Sequence, residues 1–303
     1  MHQDLLTIEG ITRHDLDLMF KLASEYKKNR QKCENKPLAG KSIGMIFSKS
    51  STRTRISFEV GINELGGNAI YLDQAKMQVG RGETIADTAR VLSRYLHGIV
   101  IRTHKHADVV EFAKHSHIPV INALTDEFHP CQILSDLFTI YEFSEKLSGI
   151  KIAYLGDGAS NMANSLILAA KFAGMHLKVA APEKFKPSEE LMARNIGDGS
   201  AEWEIDPLKA VENADYLYTD VWVSMGFEEE AKERLKEFKP YQMNAELLER
   251  ASTEAKILHC LPAHRGEEIT EEVFESPQSV VFDQAENRLH VQKAILTMML
   301  GGK

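Results

Sequence analysis

The sequence predicts an α/β fold in two domains, each built around a mainly parallel sheet flanked by helices. Short apolar runs rich in Ile and Val alternate with segments of helical period, and this alternation is typical of βαβ units. The length of 303 residues exceeds that of most single domains. Ser148-Gly149 interrupts the pattern after a long helical segment. We therefore expect one domain in residues 1–147 and a second that begins at residue 148.

Each strand is predicted from an apolar run that ends in turn or polar residues. In chain order the predicted strands are residues 42–47, 97–103, 118–122, 151–155, 176–181, 216–223, 256–260 and 280–282. Between them, segments such as 84–96 and 133–143 carry apolar residues at helical spacing.

Composition and charge exclude several classes of protein. Hydrophobic residues make up 43% of the chain and charged residues 26%, which argues against disorder. No apolar run approaches the length of a membrane span, and the polar start Met1-His2-Gln3-Asp4 does not resemble a secretory signal. The net charge of -8 disfavours a nucleic-acid partner, because phosphate backbones require a basic surface. We expect a cytoplasmic protein that binds neither membrane nor nucleic acid, and a local basic pocket would still admit an anionic small substrate.

The cysteines and histidines indicate neither a disulfide nor a metal site. Cys33, Cys131 and Cys260 are widely spaced and form no C-x-x-C pair. The 12 histidines show no H-E-x-x-H or comparable spacing, and those at 104, 106, 115 and 117 are typical of a surface cluster. We expect reduced thiols and no bound metal.

A basic, hydroxyl-rich loop follows the first predicted strand. Residues 47–55 contain three serines, two threonines, one lysine and two arginines, and apolar residues at helical spacing follow at 58–65. Such a loop opens onto a helix N-terminus, where free N–H groups favour an anion such as phosphate. Arg53 and Arg55 add charged, fork-shaped donors. The competing interpretation is a helix capped by Ser51 with two solvated arginines, but the loop contains more hydroxyls than capping requires.

Further polar residues follow other predicted strands. They are Arg102, His129 with Gln132, Asp157 to Asn161, Asp220 to Ser224, and His259 to Pro262. Ligands of open α/β sheets bind outside the carboxyl ends of the strands. One cleft would then collect these groups and the basic loop.

Two of these groups also allow an interpretation without a ligand when each is considered alone. Arg102 is either a second guanidinium for the same anion or a surface charge. Pro130 suits the first helical position, which leaves His129 at the cap with its ring free and Gln132 in the first turn. A capping histidine beside a solvated glutamine is the alternative.

Gly156-Asp157-Gly158-Ala159-Ser160-Asn161 partly imitates a dinucleotide-binding fingerprint. This supports a rival function, a nicotinamide-dependent dehydrogenase. However, Asn161 replaces the third glycine, and no acidic residue clearly ends the next strand. We interpret the segment as a tight turn that presents Asn161, whose amide suits a carboxylate ligand.

Asp220 and Cys260 end two later strands. A carboxylate in such an apolar context needs a partner, and Asp220 is suited to an ammonium group. Cys260 is either a buried structural thiol or a nucleophile. Since no activating pattern lies nearby in the sequence, a positioning role is favoured.

Taken in order, these blocks resemble the aspartate/ornithine carbamoyltransferase family. The Ser-Thr-Arg-Thr-Arg phosphate loop of that family corresponds to residues 51–55, and its His-Cys-Leu-Pro block to residues 259–262. Residues 129–132 read His-Pro-Cys-Gln, with cysteine where aspartate-specific members have threonine. Residues 220–226 match the Asp-x-x-x-Ser-Met-Gly loop of ornithine-specific members. Each block by itself is weak to moderate evidence for the resemblance, whereas the ordered set is highly specific for the family.

The resemblance implies a fold, a reaction and an assembly. Residues 1–147 would bind carbamoyl phosphate, residues 148–285 would bind L-ornithine, and the C-terminal helix, residues 286–303, would pack back on the first domain. The carbamoyl group would pass from carbamoyl phosphate to the side-chain amine of L-ornithine, giving L-citrulline and phosphate in arginine metabolism. It further implies no cofactor, and a homotrimer or a larger assembly of trimers.

The same resemblance implies the site residues. Carbamoyl phosphate would be bound by Ser51, Thr52, Arg53, Thr54, Gln78, Arg102, His129, Gln132, Cys260, Leu261 and Arg288. L-ornithine would be bound by Asn161, Asp220, Ser224 and Met225. The catalytic residues would be Arg102, His129, Gln132, Asp220 and Cys260. Besides the dehydrogenase, the alternatives are a phosphate sensor without turnover and, within the family, an enzyme for putrescine or acylated ornithine.

Overall fold

A computed structural model describes residues 4–30, 35–48, 51–77, 82–194, 196–223 and 228–302. The chain divides into two compact units. Unit 1 comprises Met1–Phe138 and Glu286–Lys303, and unit 2 comprises Thr139–Ala285. Both units have a parallel sheet flanked by helices, so the predicted fold class is confirmed.

Unit 1 contains a four-stranded parallel sheet with the strand order β2-β1-β3-β4. Its strands are β1 (Ser42–Phe47), β2 (Asn68–Asp73), β3 (Gly98–Arg102) and β4 (Val120–Leu124). Its helices are α1 (Arg13–Lys28), α2 (Thr52–Glu64), α3 (Ile85–Leu92), α4 (His106–His115) and the first part of α5 (Pro130–Ser144), together with a short 3-10 turn at Gln74–Lys76.

Unit 2 contains a five-stranded parallel sheet with the order β7-β6-β5-β8-β9. Its strands are β5 (Lys151–Leu155), β6 (His176–Ala180), β7 (Ser200–Glu204), β8 (Tyr216–Thr219) and β9 (Lys256–His259). Its helices are α6 (Asn161–Ala173), α7 (Glu189–Ala193), α8 (Pro207–Val211), α9 (Ala231–Phe238), α10 (Ala245–Arg250) and α11 (Glu271–Phe274), with 3-10 turns at Glu183–Phe185, Glu228–Glu230 and Lys239–Tyr241. The last helix, α12 (Val281–Leu300), begins in unit 2 and ends in unit 1.

The central strands are buried on both faces, since successive side chains of a strand point to opposite faces of the sheet. All five residues of β3 are buried, as are the last five of β1. Sequence patterns missed two of the four edge strands, β2 and β7, whose residues are only partly buried or exposed. An edge strand of this kind lacks the continuous apolar run that marks a strand buried on both faces.

The strand predicted at residues 280–282 is wrong. The Ile257 N–H donates to the Gln278 carbonyl at 3.0 Å and the Val280 N–H donates to the Ile257 carbonyl at 3.1 Å, which form an isolated parallel bridge between this segment and β9. Helix α12 then begins at Val281. Val281 is fully buried whereas Phe282 is 63% exposed. A three-residue apolar run does not distinguish a strand from the first turn of a helix.

The C-terminal helix returns to unit 1, as the family resemblance implied. The Lys293 Nζ atom lies 2.7 Å from a Glu64 carboxylate oxygen, and its ammonium group lies over the Tyr26 ring. The hydroxyls of Tyr26 and Thr297 are 2.8 Å apart. These contacts fix the far part of α12 against α1 and α2.

The border between the units falls inside helix α5. The unit division lies after Phe138, whereas the sequence suggested a border after residue 147. The helix runs without interruption through the point of division, so no change of local pattern marks it in the sequence.

Each sheet reverses its strand order at one point. In unit 1 the neighbours at this point are β1 and β3, and in unit 2 they are β5 and β8. Ligands of open α/β sheets bind in the crevice at such points, outside the carboxyl ends of the strands. No described helix is long and apolar enough to cross a membrane.

Candidate functional site

The carboxyl ends of β1 and β3 bring two predicted groups of unit 1 together. Phe47 at the end of β1 is in register with Arg102 at the end of β3. The loop after β1 leads directly into α2, which begins at Thr52. The helix start and the Arg102 guanidinium therefore belong to the same edge of the sheet, as the sequence predicted.

The N-terminus of α2 has the features of an anion site. Ser51 is the N-cap residue, but its side chain forms no capping hydrogen bond with a described backbone N–H. The first turn carries no acidic residue, and the side chains of Thr52 and Arg53 are exposed. The first N–H groups of a helix and its dipole attract anions. Arg55 is engaged elsewhere, since its guanidinium lies 3.9 Å from the centre of the Tyr71 ring.

Two buried arginines converge on the hydroxyl of Thr54. The Arg288 Nη2 atom donates to the Thr54 Oγ1 atom at 2.8 Å, and the Arg102 Nη1 atom donates to it at 3.4 Å. Thr54 is 1% exposed, Arg288 3% and Arg102 9%. Two buried guanidinium groups on one hydroxyl create a strongly positive region, which favours an anionic ligand.

His129 and Gln132 lie at the start of α5, where the sequence predicted them. Helix α5 begins at Pro130, so the predicted position of Pro130 is confirmed. Burial lowers the pKa of His129 well below its usual value, and the charges of Arg288 and Arg102 lower it further. The imidazole is therefore neutral. A neutral ring donates through one nitrogen and carries no charge that would repel the guanidinium groups.

The amide of Gln132 is oriented by Asp136. Its Nε2 atom donates to the Asp136 Oδ1 atom at 2.9 Å, and both residues are buried. The Gln132 Oε1 atom has no hydrogen-bond partner among the described residues. Gln132 therefore presents a buried acceptor, and no sequence pattern had indicated that Asp136 would orient it.

Cys131 belongs to the core of unit 1. It is fully buried, and its thiol donates to the Asn122 carbonyl at 3.3 Å. Burial raises the pKa of the thiol to about 12. Since the thiolate is the reactive form, Cys131 has a packing role.

Three predicted contact residues lie outside the described part of the chain. They are Gln78, Ser224 and Met225.

In unit 2, the turn after β5 places Asn161 at the start of α6. Gly156 has a φ of 137°, which a residue with a side chain rarely adopts. Ser160 caps the helix by accepting a hydrogen bond from the Ala163 N–H at 3.1 Å. Asn161 is the first helical residue. The predicted tight turn that presents Asn161 is thus confirmed as a local structure.

The glycine at 158 serves packing within unit 2. A Cβ atom at Gly158 would lie 2.8 Å from the Phe185 carbonyl oxygen and 2.9 Å from the Pro187 Cδ atom. In a dinucleotide fingerprint, the second glycine allows the backbone to approach a pyrophosphate. Here Phe185 and Pro187 of the same unit occupy the space beside this glycine, so a pyrophosphate could not approach it. The fingerprint interpretation therefore loses its physical basis.

Asp220 and Cys260 form a hydrogen-bonded pair at the ends of β8 and β9. The strand β8 ends at Thr219, so Asp220 follows the strand directly. The Cys260 thiol donates to the Asp220 Oδ1 atom at 3.0 Å, and the Val221 N–H donates to the same oxygen at 2.8 Å. Burial raises the pKa of Asp220, against the opposing effects of His259 and of these two hydrogen bonds. The sequence predicted that Asp220 needs a partner, and Cys260 is one.

His259 and Glu268 form a buried pair that sequence patterns did not reveal. The His259 Nε2 atom lies 3.1 Å from the Glu268 Oε1 atom, and both side chains are fully buried. The His259 Nδ1 atom accepts a hydrogen bond from the Leu261 N–H at 2.9 Å. Nε2 is then the protonated nitrogen that donates to Glu268. This pair fixes the backbone of the turn that carries Cys260 and Leu261.

The described residues also bring two groups of potential metal ligands together, contrary to what sequence spacing suggested. One consists of Asp220, His259 and Cys260, and the other of His264, Glu267 and Glu268; in each the ligand atoms lie within 4.8 Å of one another. In the first group both ring nitrogens of His259 take part in hydrogen bonds, and Cys260 donates to Asp220. We interpret this group as a hydrogen-bonded network.

Two family descriptions match the chain. Residues 3–142 match the carbamoyl-P binding domain of aspartate/ornithine carbamoyltransferase. Residues 148–299 match the Asp/Orn binding domain of the same family. Together they span nearly the whole chain.

Individual relatives are similar over nearly their full length. An ornithine carbamoyltransferase of Oceanobacillus iheyensis is 51% identical over 304 residues, which cover 98% of this chain and 94% of the relative. One from Syntrophus aciditrophicus is 52% identical and covers 99% of this chain and 100% of the relative. The solved structure of ornithine carbamoyltransferase from Pyrococcus furiosus has a TM-score of 0.94 at 48% identity, with 99% of this chain and 97% of that chain covered.

Proposed function

The chain belongs to the aspartate/ornithine carbamoyltransferase family, and we propose that it transfers the carbamoyl group of carbamoyl phosphate to the side-chain amine of L-ornithine. The products are L-citrulline and phosphate. The observation that carries the proposal is the convergence of Arg102 and Arg288 on the buried Thr54 hydroxyl, beside the N-terminus of α2.

Unit 1 is suited to bind carbamoyl phosphate. The phosphate binds at the start of α2, where Ser51, Thr52, Arg53 and Thr54 supply hydroxyls, backbone N–H groups and one guanidinium. Arg102 contributes a second guanidinium to the leaving group. Gln78 completes the phosphate contacts by family resemblance.

The carbonyl oxygen of the carbamoyl group is bound by donors of unit 1. The donors are Thr54, Arg102, His129 and Arg288. As the amine attacks the carbonyl carbon, negative charge grows on this oxygen, and fixed donors stabilise that charge without having to reorganise. Because His129 is neutral, the positive charge near this oxygen comes from the guanidinium groups of Arg102 and Arg288. The imidazole contributes a hydrogen bond in a fixed direction.

The carbamoyl NH2 group is recognised by a fixed acceptor. Because Asp136 accepts from the Gln132 Nε2 atom, the Gln132 Oε1 atom points its lone pairs away from Asp136 and is available to accept from that NH2. By family resemblance, the Leu261 carbonyl is a second acceptor and Cys260 also contacts the carbamoyl group.

Unit 2 is suited to bind the amino acid. Asn161 and Asp220 follow neighbouring strands, β5 and β8, at the point where the strand order reverses. The Asn161 amide recognises the carboxylate of ornithine, and Asp220 recognises an ammonium group. Ser224 and Met225 complete these contacts by family resemblance. Asp220 with Cys260 orients the amine that reacts, which must be neutral to act as a nucleophile.

The proposal includes the setting of the protein. We assign it a homotrimeric assembly or a larger assembly of trimers, and a cytoplasmic location in arginine metabolism. The side chains of Ile56 and Tyr95 on unit 1 are 53% and 72% exposed, which is consistent with a subunit contact there. Sedimentation equilibrium of the purified protein measures the assembly, and a monomer at micromolar concentration would contradict the trimer.

The decisive experiment is a panel of acceptors with carbamoyl phosphate as the donor. The purified protein is incubated separately with L-ornithine, putrescine, N-acetylornithine and aspartate, and the carbamoylated product is measured colorimetrically. We expect rapid formation of citrulline and little product with the other acceptors. Preference for another acceptor would overturn the assigned substrate. Binding of carbamoyl phosphate without any product would instead support the sensor.

A further inference from the structure

We infer that Arg234 is a positioning residue for the amino-acid acceptor, because its guanidinium joins the turn before Asn161 to the turn after Asp220. Arg234 lies on α9 and is 3% exposed. The hydrogen bonds of Arg234 described below go to Asp157, Trp222 and Glu230. Arg234 therefore acts on Asn161 and Asp220 through the two turns that carry them. The inference deepens the proposed function and depends on it.

Arg234 holds the turn after β5 through Asp157. Its Nη1 atom donates to the Asp157 Oδ2 atom at 2.8 Å, and both side chains are buried. The other carboxylate oxygen, Oδ1, accepts from the Ala159 N–H at 2.9 Å. The Asp157 carbonyl accepts from the Ser160 N–H at 3.2 Å. The position of Asp157 thus determines how Ser160 enters α6, and Asn161 is the next residue.

Arg234 also holds the turn after β8 through a backbone carbonyl. The same Nη1 atom donates to the Trp222 carbonyl oxygen at 3.1 Å. Trp222 is fixed in turn, since it is 1% exposed and its ring stacks on Phe238 with the ring centres 6.1 Å apart. One residue earlier, the Val221 N–H donates to the Asp220 carboxylate. Displacement of the Trp222 carbonyl would therefore shift the donor that orients Asp220.

The surroundings of Arg234 require a guanidinium group. Its Nε atom donates to Glu230 at 3.2 Å, and its planar head lies 4.9 Å from the centre of the Phe185 ring and 5.8 Å from that of Phe238. A guanidinium is flat and offers several donors in fixed directions. A lysine ammonium at this position has neither the shape to stack nor the geometry to hold both turns.

The two turns carry ligands for two different groups of one small amino acid, its carboxylate and an amino group. A ligand that must contact both Asn161 and Asp220 is sensitive to the distance between them, and Arg234 sets that distance. Loss of this link weakens acceptor binding and leaves donor binding in unit 1 intact. A purely structural role would instead reduce the amount of active enzyme and leave both KM values unchanged.

The test compares Arg234→Lys with the double variant Asp157→Asn/Arg234→Gln, which removes both charges and preserves a possible amide contact. We measure kcat, the KM for L-ornithine, the KM for carbamoyl phosphate, and the melting temperature. In Arg234→Lys we expect the ornithine KM to rise about 10-fold or more while the carbamoyl phosphate KM stays within about 2-fold. We expect a rise of the same kind in the double variant.

Arg265→Lys is the matched control. Arg265 lies in the same unit, pairs with the carboxylates of Glu271 and Glu275, and lies 4.3 Å from the centre of the Phe274 ring, but it is 42% exposed. We expect wild-type KM values in this variant.

The outcomes separate this inference from the proposed function. Wild-type enzyme that makes no citrulline would refute the proposed function, and the inference with it. Normal wild-type turnover together with an unchanged ornithine KM in Arg234→Lys, or equal changes of both KM values, would overturn the inference alone. Loss of folded protein in both variants would also overturn it, because Arg234 would then support unit 2 as a whole.

Discussion

The Nη2 atom of Arg288 lies 2.8 Å from the Oγ1 atom of Thr54, although the two residues are 234 positions apart in the chain. Thr54 is in the first turn of α2, and Arg288 is carried by the C-terminal helix. The contact places a guanidinium group from the end of the chain beside the anion site formed near its beginning.

Substitution of Thr54 by valine tests the convergence of the two arginines. The change keeps the size of the side chain and removes the hydroxyl that accepts from Arg102 and Arg288. A hydrogen bond to a charged group contributes about 1.5 to 3 kcal/mol, so we expect kcat/KM for carbamoyl phosphate to fall roughly 10- to 100-fold. Steady-state kinetics measure this value. Asn63→Ala, at an exposed position on the same helix, is the control and should retain wild-type kinetics.

Substitution of Arg102 by alanine tests its role as an oxyanion donor. Removal of one such donor costs about 100- to 1,000-fold in turnover in other enzymes, and we expect a loss of this size. Circular dichroism should show a folded protein. Arg55→Ala serves as the control. It removes a guanidinium group near the start of α2, and this group pairs with Glu59. Turnover near the wild-type value in Arg102→Ala would refute the assigned role.

His129 makes stability depend on pH in a defined direction. Burial and the two arginines hold its pKa in the folded protein well below the ordinary value of 6.5. The unfolded chain therefore binds a proton more readily, and the contribution of His129 is present above pH 6.5 and is lost as the pH falls toward the folded pKa. The free energy of unfolding should fall by up to about 1.4 kcal/mol per pH unit below that point.

Urea unfolding at several pH values, roughly between 5 and 8, measures the slope of the free energy of unfolding against pH. In His129→Gln the slope should be smaller. His106 and His290, whose pKa values are also lowered mainly by burial, account for part of what remains. An identical slope in His129→Gln and the wild type would contradict the neutral, buried imidazole.

Asp220→Asn should separate stability from activity. Burial raises the folded pKa of Asp220 above 3.8, so its contribution to stability is complete only below that pH and is lost as the pH rises through the folded pKa. At neutral pH the asparagine variant should be at least as stable as the wild type, because its Oδ1 atom can still accept from Cys260 and Val221. The ornithine KM should rise about 10-fold or more, since the carboxylate that binds the ammonium is gone.

Thermal unfolding and acceptor kinetics measure the two effects separately. A variant that is less stable than the wild type and binds ornithine normally would reverse both expectations. Asp215→Asn, on a carboxylate that accepts from the Lys151 N–H at 2.8 Å, is a control in the same unit. Its kinetics should not change.

The candidate site was predicted from the sequence as far as local patterns reach. The positions of Arg102 at the end of β3, of Pro130 at the start of α5 and of Asn161 at the start of α6 follow from apolar spacing and from turn residues. The hydrogen-bond and ion-pair partners of the site residues could not be predicted from such local patterns. Asp136 beside Gln132, Glu268 beside His259 and Arg234 beside Asp157 are ordinary acidic and basic residues on helices or loops, and no motif marks them.

The sequence by itself determined the alternation of strands and helices and the residues that stand at the strand ends. Hydrophobic periodicity within a strand or a helix depends only on neighbours in the chain, so these features can be read locally. Only the tertiary structure decided which strand ends are adjacent, and that Arg288 returns to Thr54. Strand order and the return of α12 depend on contacts between residues far apart in the chain, which no local spacing encodes.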